Sequence, residues 1–428
     1  MPTIVAQTVR DFDYTDLVPP QARLRKGSAG MVTFISFFLA ILASLVAIPV
    51  AVFFVEVVAA IILPQRDSVV LRSEDDRRRV CVLVPAHDEG VGLLPTLQDI
   101  KTQMRAGDRL LVVADNCMDN TAAVAAAAGA EVVERNDSDR KGKGYALAWG
   151  LRHLGMDPPD IVIVVDADCR LADNAIDRLA AICALTQRPV QAFSLMIASN
   201  ESPINSQVAE FAWRVKNYVR PLGLRALGLP CQLMGTGTAF PWDVIRSANL
   251  SGSIVEDLKL GLDLALAGNP TTFYPFVKIT SEFPFTVNGI QSQRLRWERG
   301  HIETLLTAVP RLLFAAISRA SLDLLTLALD LAVPPLSLLG MLVIGMLAIT
   351  GLATSLGISP AAIFISAASL VGFTAGIFLS WLKYGREILP LGAILLIPSY
   401  VIGKLPIYAR AIFRKAGSQW VRTDRGKG

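Results

Sequence analysis

Apolar residues divide the chain into three parts. Met31–Leu63 is one long apolar run with a single charge, Glu56. As a helix, its 33 residues would be about 50 Å long, against a hydrocarbon core of about 30 Å. It is long enough to cross once, with tilt or with one end in the interface, and short for two crossings. The run is too long for a signal peptide, and no small-residue cleavage site follows it. A second apolar block, Ser321–Tyr408, is interrupted by Pro334-Pro335, Gly357–Pro360 and Lys383–Glu387. Three hydrophobic helices are predicted there, near 324–350, 361–382 and 388–408. The stretch His301–Arg319 is amphipathic and is expected to lie on the membrane surface. The expected organisation is an N-terminal segment (1–30), a membrane helix (31–63), a globular domain (64–300), an interface helix (301–320), C-terminal membrane helices (321–408) and a basic tail (409–428).

Between the apolar blocks the pattern changes. Val80–Pro85, Leu110–Ala114 and Ile161–Val165 are compact apolar runs that predict strands. Helical patterns over Val91–Gln103, Thr121–Ala128 and Tyr145–Leu154 alternate with them. Strand–helix alternation predicts an α/β, Rossmann-like domain: a parallel sheet with helices on both faces. Such sheets bind ligands beyond the carboxyl ends of their strands. There the sequence places Ala86-His87-Asp88-Glu89, then Asp115-Asn116-Cys117-Met118-Asp119, then Asp166-Ala167-Asp168. Asp and Asn also suit turns and helix caps, so any one of these sites has a structural explanation. Convergence of all three is less easily explained that way.

Composition sharpens the membrane reading. Of 428 residues, 52% are hydrophobic and 18% charged, and the mean hydropathy is +0.46, a combination rare in a purely soluble protein. The net charge of +4 is mild, and the basic residues flank apolar segments, so anionic lipid explains them better than nucleic acid does. Arg410, Arg414, Lys415, Arg422, Arg425 and Lys427 put the tail in the cytosol by the positive-inside rule. The globular domain is expected there too, at a cell inner (plasma) membrane. Three helices between domain and tail conflict with that arrangement, so one segment must be re-entrant or interfacial, or Pro334-Pro335 must conceal a further crossing. Cys81, Cys117, Cys169, Cys183 and Cys231 follow no zinc spacing and read as reduced thiols.

Candidate chemistry lies at the strand ends and beyond. Asp-x-Asp occurs at Asp11/Asp13, Asp137/Asp139 and Asp166/Asp168, and only the last directly follows a buried-strand pattern. Two carboxylates there suit Mg²⁺ or Mn²⁺ held against a diphosphate. Arg140-Lys141-Gly142-Lys143-Gly144 offers backbone approach and positive charge to a phosphate, or is simply a solvated basic turn; it is no Walker loop. Leu233–Thr238 is a small-residue loop. Glu256-Asp257 opens a helical stretch, Leu258–Ala267, where a carboxylate caps the helix or serves as a general base. Gln293-Arg294-Leu295-Arg296-Trp297 is the most specific feature. On a helix Gln293, Arg296 and Trp297 share one face, combining amide, cation and aromatic platform.

In this order the motifs resemble those of the processive family 2 glycosyltransferases, the cellulose, chitin, hyaluronan and poly-N-acetylglucosamine synthases, over about residues 78–300. The resemblance implies a GT-A fold and an inverting, single-displacement transfer from a nucleotide-sugar donor, with a UDP-sugar expected. It implies that Pro85, Glu89 and Asp115 contact base and ribose and that Lys143 approaches the diphosphate. Asp166 and Asp168 would bind nucleotide and metal, Asp168 as main ligand. Asp257, with Glu256 beside it, would be the catalytic base. Gln293, Arg296 and Trp297 would hold the diphosphate and floor the acceptor site, and Gly235, Thr236 and Gly237 would line the acceptor terminus. The sequence departs from that family at Asp88 (usually Asn), Met234 (usually Cys before the glycine), Val255 (commonly Thr) and Phe240-Pro241-Trp242 (often containing Arg). These departures leave the transfer chemistry intact and the acceptor open. The leading expectation is a growing polysaccharide of exopolysaccharide or capsule type. The alternative is one sugar added to a lipid or lipid-linked acceptor. A non-catalytic transport or sensing component would show degraded acidic motifs, whereas Asp166, Asp168 and Asp257 are all present. A processive enzyme needs a polar path through its helices, for which Asp323, Thr326, Asp330 and Ser337 are candidates; Asp323 and Glu56 are expected at the interface. His87 is expected to cap, His153 and His301 lack the partners of a metal site, and Trp149, Trp213 and Trp381 are expected to pack or anchor.

Overall fold

A computed structural model describes residues 20–67, 78–197, 204–248, 250, 256–283, 287–394, 397–405 and 408, with side chains described except at 20–29, 204–205, 256, 287–297, 394 and 400. In chain order the elements are α1 (Pro20–Ile62), β1 (Val80–Ala86), α2 (Leu94–Lys101), β2 (Arg109–Asp115), α3 (Thr121–Ala127), β3 (Glu131–Arg135), α4 (Lys143–Leu154), β4 (Ile161–Val164), β5 (Arg170–Leu171), α5 (Ala175–Thr186), β6 (Val190–Ile197) and α6 (Ile204–Arg214). Then follow α7 (Arg220–Ala226), β7 (Thr238–Pro241), α8 (Trp242–Ile245), α9 (Glu256–Leu266), β8 (Thr272–Glu282), α10 (Val287–Ser318), α11 (Leu322–Leu331), α12 (Leu336–Ser355), α13 (Ala361–Tyr384), α14 (Leu391–Ile394) and α15 (Ile397–Gly403).

The eight strands form one sheet in the order β3-β2-β1-β4-β7-β6-β8-β5. The strands β3, β2, β1 and β4 are parallel, as expected. The sheet as a whole is mixed: β7 runs against β4 and β6, and β5 runs against β8. The apolar runs of β1, β2 and β4 have no solvent face. Val80, Val82, Val84, Leu110, Val112, Ile161 and Ile163 pack on Leu93, Leu97, Ile176 and Leu179. The alternate residues Cys81, Leu83, Leu111, Val113, Val162 and Val164 pack on Leu147, Leu151, Leu260 and Leu264. Burial on both faces is why these strands read as continuous apolar stretches. The helix expected over 91–103 starts as a 3-10 turn, Gly90–Leu93, before α2.

Among the described residues, four helical stretches are long and apolar enough to cross a membrane: Gly30–Ile62 of α1, Glu298–Ser318 of α10, α12 and α13. The stretch expected as a separate interface helix (301–320) belongs instead to the 32-residue α10, which begins at Val287. The single helix expected over 324–350 is two, because Pro334-Pro335 lacks amide donors and disfavours helix in the preceding residue. The ten-residue α11 is about 15 Å long, too short to span. Among the described residues, the helix expected over 388–408 is represented by the short α14 and α15.

The described residues fall into two compact units, one drawn from residues up to Ile48 with Leu342–Val371, the other from Pro49–Met341 with Gly372 onward. In the first, Leu39 and Ala43 pack with Met346, Ala353 and Ala362. The second holds the sheet. There Glu56, expected at the interface, is buried within the protein and paired with Arg220, which also pairs with buried Asp330. The remaining candidates for a polar path are engaged too. Asp323 lies 3.8 Å from Arg188, the Thr326 hydroxyl donates to the Leu322 carbonyl, and Ser337 meets the Tyr408 hydroxyl at 2.7 Å.

Candidate active site

The sheet brings the ends of β1, β2 and β4 to one edge, and α4 and α9 begin there too. Lys143, the first residue of α4, links two carboxylates. Its Nζ lies 2.7 Å from Asp166 Oδ1 and 3.3 Å from Asp257 Oδ2. The three side chains are 17%, 34% and 28% exposed, so each is braced by protein yet open to a ligand. Burial pushes the Asp257 carboxyl above its usual range; the Lys143 ammonium opposes this, and the Asp166 carboxylate adds to it.

The small-residue loop closes the other side. Gly235 has φ +106°, and a Cβ there would stand 2.7 Å from Asp257 Oδ2. Gly237 has φ +69°, and a Cβ there would strike Ile279 Cδ1 at 2.5 Å. Both positions favour glycine, since a side chain at either would be strained and would push a neighbouring side chain aside. Between them the Thr236 hydroxyl accepts from the Asp166 backbone N–H at 3.0 Å, tying the loop to the strand end. Thus Lys143, Asp166, Gly235, Thr236 and Asp257 come together from four separate places in the sequence.

Asp168 lies half-buried on the turn after Asp166. The two carboxylates are hard oxygen donors that suit a divalent cation sharing its shell with diphosphate oxygens. The ligand atoms of Asp88, Cys117 and Asp119 also lie within 4.8 Å of one another. Those groups serve the turn itself: Asp88 accepts from the Met118 N–H at 2.6 Å, and Asp119 from the Thr121 N–H at 2.9 Å.

Pro85, Glu89 and Asp115 lie at the neighbouring β1 and β2 ends. Asp115 is buried and accepts from Arg135 Nη1 at 2.5 Å and Asn116 Nδ2 at 3.0 Å. Arg135 Nη2 donates onward to Asp137 at 3.1 Å and the Arg140 carbonyl at 2.7 Å, and the guanidinium lies over the Tyr145 ring. Its role was not read from the sequence; an Arg ending a short strand 20 residues after Asp115 was the available signal. The Glu89 backbone N–H donates to Thr121 Oγ1, and His87 Nδ1 meets the Asp115 carbonyl at 2.6 Å.

Sequence reasoning also missed Gln191. Fully buried on β6, it donates through Nε2 to the Thr236 and Ala192 carbonyls at 2.8 and 2.9 Å. Its Oε1 accepts from the Met234 N–H at 2.8 Å and the Thr238 hydroxyl at 3.0 Å. A lone amide inside an apolar strand was the clue. Gln293, Arg296 and Trp297 lie on α10, but their side chains, like that of Glu256, fall outside the described ones.

An α/β sheet that gathers carboxylates, a lysine and a glycine loop at its strand ends has the layout of a GT-A nucleotide-sugar transferase. The family model described as Glycosyltransferase like family 2 matches residues 77–300, more than half the chain, and the protein belongs to that family. It is therefore a glycosyltransferase that uses a nucleotide-sugar donor. A comparison with curated proteins finds no match. Among solved structures, the chain is similar to a mannosyltransferase from Pyrobaculum calidifontis in complex with GDP-Man and Mn²⁺, at 16% identity, covering 86% of this chain and 99% of that one, with a TM-score of 0.48. It is also similar to glucosyl-3-phosphoglycerate synthase from Mycobacterium tuberculosis (20% identity, 51% and 76% covered, TM-score 0.33) and to mannosyl-3-phosphoglycerate synthase from Rubrobacter xylanophilus (19%, 52% and 72%, TM-score 0.36).

Proposed function

We propose that the protein is an inverting membrane glycosyltransferase in which Asp257 is the catalytic base. The observation that carries this reading is the Lys143 bridge between Asp166 and Asp257, with Gly235 against the same carboxylate. Asp257 takes the proton of an acceptor hydroxyl. The acceptor oxygen forms its bond to the anomeric carbon as the bond to the diphosphate oxygen breaks, the electron pair leaving with the nucleotide diphosphate. Lys143 stabilises that leaving charge, and Asp166 and Asp168 would hold a divalent ion that would supply further positive charge there. Glu256 stands beside the base. Pro85, Glu89 and Asp115, the last oriented by Arg135, receive base and ribose. Gly235–Gly237 lines the acceptor terminus, and Gln293, Arg296 and Trp297 floor it.

The acceptor that follows from the family resemblance is a growing polysaccharide, with a UDP-sugar as donor. One observation favours a lipid-linked acceptor instead: Asp323, Thr326, Asp330 and Ser337 all make contacts within the protein rather than being set aside for a sugar path. We place the domain and basic tail on the cytosolic side of an inner membrane. If α12 and α13 cross and the apolar half of α10 lies along the surface, two crossings separate them, which is consistent with the positive-inside rule.

The test is turnover of UDP-, GDP- and dTDP-sugars by the purified full chain with Mg²⁺ or Mn²⁺, with product length as readout. Polymer supports the synthase reading, and a single sugar on a chloroform-soluble acceptor replaces it with the lipid reading. Asp257→Asn should lower kcat by at least about 100-fold, within the range of a general base; full activity in that variant refutes the base.

A further inference from the structure

Glu56, Arg220 and Asp330 form a buried ion triad outside the site just described. Arg220 Nε donates to Glu56 Oε2 at 2.6 Å. Its Nη2 donates to the Asp330 carbonyl at 2.8 Å and to Asp330 Oδ1. The other carboxylate oxygen, Asp330 Oδ2, accepts from Gln232 Nε2 at 2.6 Å. Four stretches of chain therefore meet here: α1, α7, α11 and the segment leading into the Gly235 loop. The backbones of α1 and α7 are so close that a Cβ at Gly223 would stand 1.9 Å from the Glu56 carbonyl oxygen.

A buried triad is a poor source of stability, because desolvating three charges offsets their attraction, and apolar replacements of like volume often serve as well. Its hydrogen bonds do fix direction. Gln232 lies three residues before Gly235. Asp330 rides on α11, whose Leu324, Leu327, Ala328 and Leu331 pack with Leu262 and Ala265 of α9. The helix α9 is the one that opens with Glu256-Asp257. Asp330 thus grips the loop side of the site through one hydrogen bond, while its own helix supports the base side through an apolar core.

We propose that Asp330 is a positioning residue that sets the spacing between the Gly235 loop and the Asp257 carboxylate, acting through Gln232 and held in place by Arg220 and Glu56. The inference rests on the reading of Asp257 as the base. The gap it controls has no slack, since a single added Cβ at Gly235 would already crowd the carboxylate. The triad makes membrane helix α1 part of the catalytic frame.

The test uses the full chain in lipid nanodiscs, with Gln232→Ala, Asp330→Ala and the double variant. Gln232→Ala removes a donor without stranding a buried charge, so it remains informative where Asp330→Ala fails to fold. Each single variant is expected to lose at least about 10-fold in kcat, with donor KM within about twofold. The double variant should lose no more than the worse single one, because both cut the same link. Amide hydrogen exchange should rise at residues 233–238 while β1 and β4 keep their protection. Unchanged kcat per folded molecule together with unchanged exchange at 233–238 overturns the proposal, even if the melting temperature falls. Asp257→Asn separates the two ideas. Wild-type turnover in that variant removes the base, and the exchange at 233–238 still decides whether Asp330 holds the loop.

Discussion

Gly235→Ala probes the tightest point of the site. At φ +106° an alanine is strained, at a cost of about 1–3 kcal/mol. Its Cβ would lie 2.7 Å from Asp257 Oδ2 and 3.6 Å from Lys143 Nζ. An ordinary C···O contact is about 3.3 Å, so the carboxylate or the loop must yield by about 0.6 Å. Misplacing a catalytic group by about 1 Å costs about 100-fold. A shift of about half that size therefore predicts a kcat loss of about 10- to 100-fold. Lys143, on the nucleotide side, meets the new Cβ only at ordinary van der Waals distance, so donor KM should stay within about threefold. Steady-state kinetics with the cognate donor, calorimetric titration of the nucleotide diphosphate and a thermal melt separate the effects. A variant with wild-type kcat would show that Gly235 and Asp257 do not share the reacting space. One that loses nucleotide binding as strongly as turnover would show that the loop belongs to the donor site.

The acid limb of kcat/KM reports the base. Asp257 must be deprotonated to act, so activity falls as pH is lowered through its raised pKa. Lys143→Met removes the opposing cation and should move that limb to higher pH, whereas Asp166→Asn removes the reinforcing anion and should move it lower; limbs that stay put would exclude the coupling. Arg135→Ala leaves Asp115 buried without its cation, which predicts a loss of about 3–5 kcal/mol in stability and weaker nucleotide binding. An unchanged denaturant midpoint would contradict that. Chelation should abolish turnover, with recovery on adding Mg²⁺ or Mn²⁺, and Asp168→Asn should raise the metal concentration needed by at least about tenfold. Full activity in excess chelator would remove the metal from the mechanism.

The parts legible in the sequence were those whose signal is local. The strands β1, β2 and β4 announce themselves because both faces are buried, and their carboxylates follow within a few residues. The sheet beyond β4 was not legible. Thr238–Pro241 is four residues long, and nothing in it shows that it runs antiparallel between β4 and β6. Pairings across long separations were equally hidden. Arg220 meets Glu56 from 164 residues away and Asp330 from 110, so Glu56 in an apolar run looked interfacial. Arg135 and Gln191 are single polar residues whose meaning depends on partners 20 to 47 residues distant. The length of α10 was missed for a different reason. The polar motif and the apolar stretch beyond it look like separate segments, yet the one weak breaker between Trp297 and His301, Gly300, does not end the helix.

The Gln191 side chain has a consequence for anyone wishing to change what this enzyme glycosylates. An amide has two donor hydrogens and two acceptor lone pairs. Here all four valences are committed, to Thr236, Ala192, Met234 and Thr238. Glutamate has the length but no hydrogens to give, and asparagine has the chemistry but one methylene too few. Position 191 is therefore closed to redesign, and the backbone of 234–238 is closed with it. Room for a different acceptor is to be sought in the side chains that the clamped loop displays, and Met234 is the first to vary.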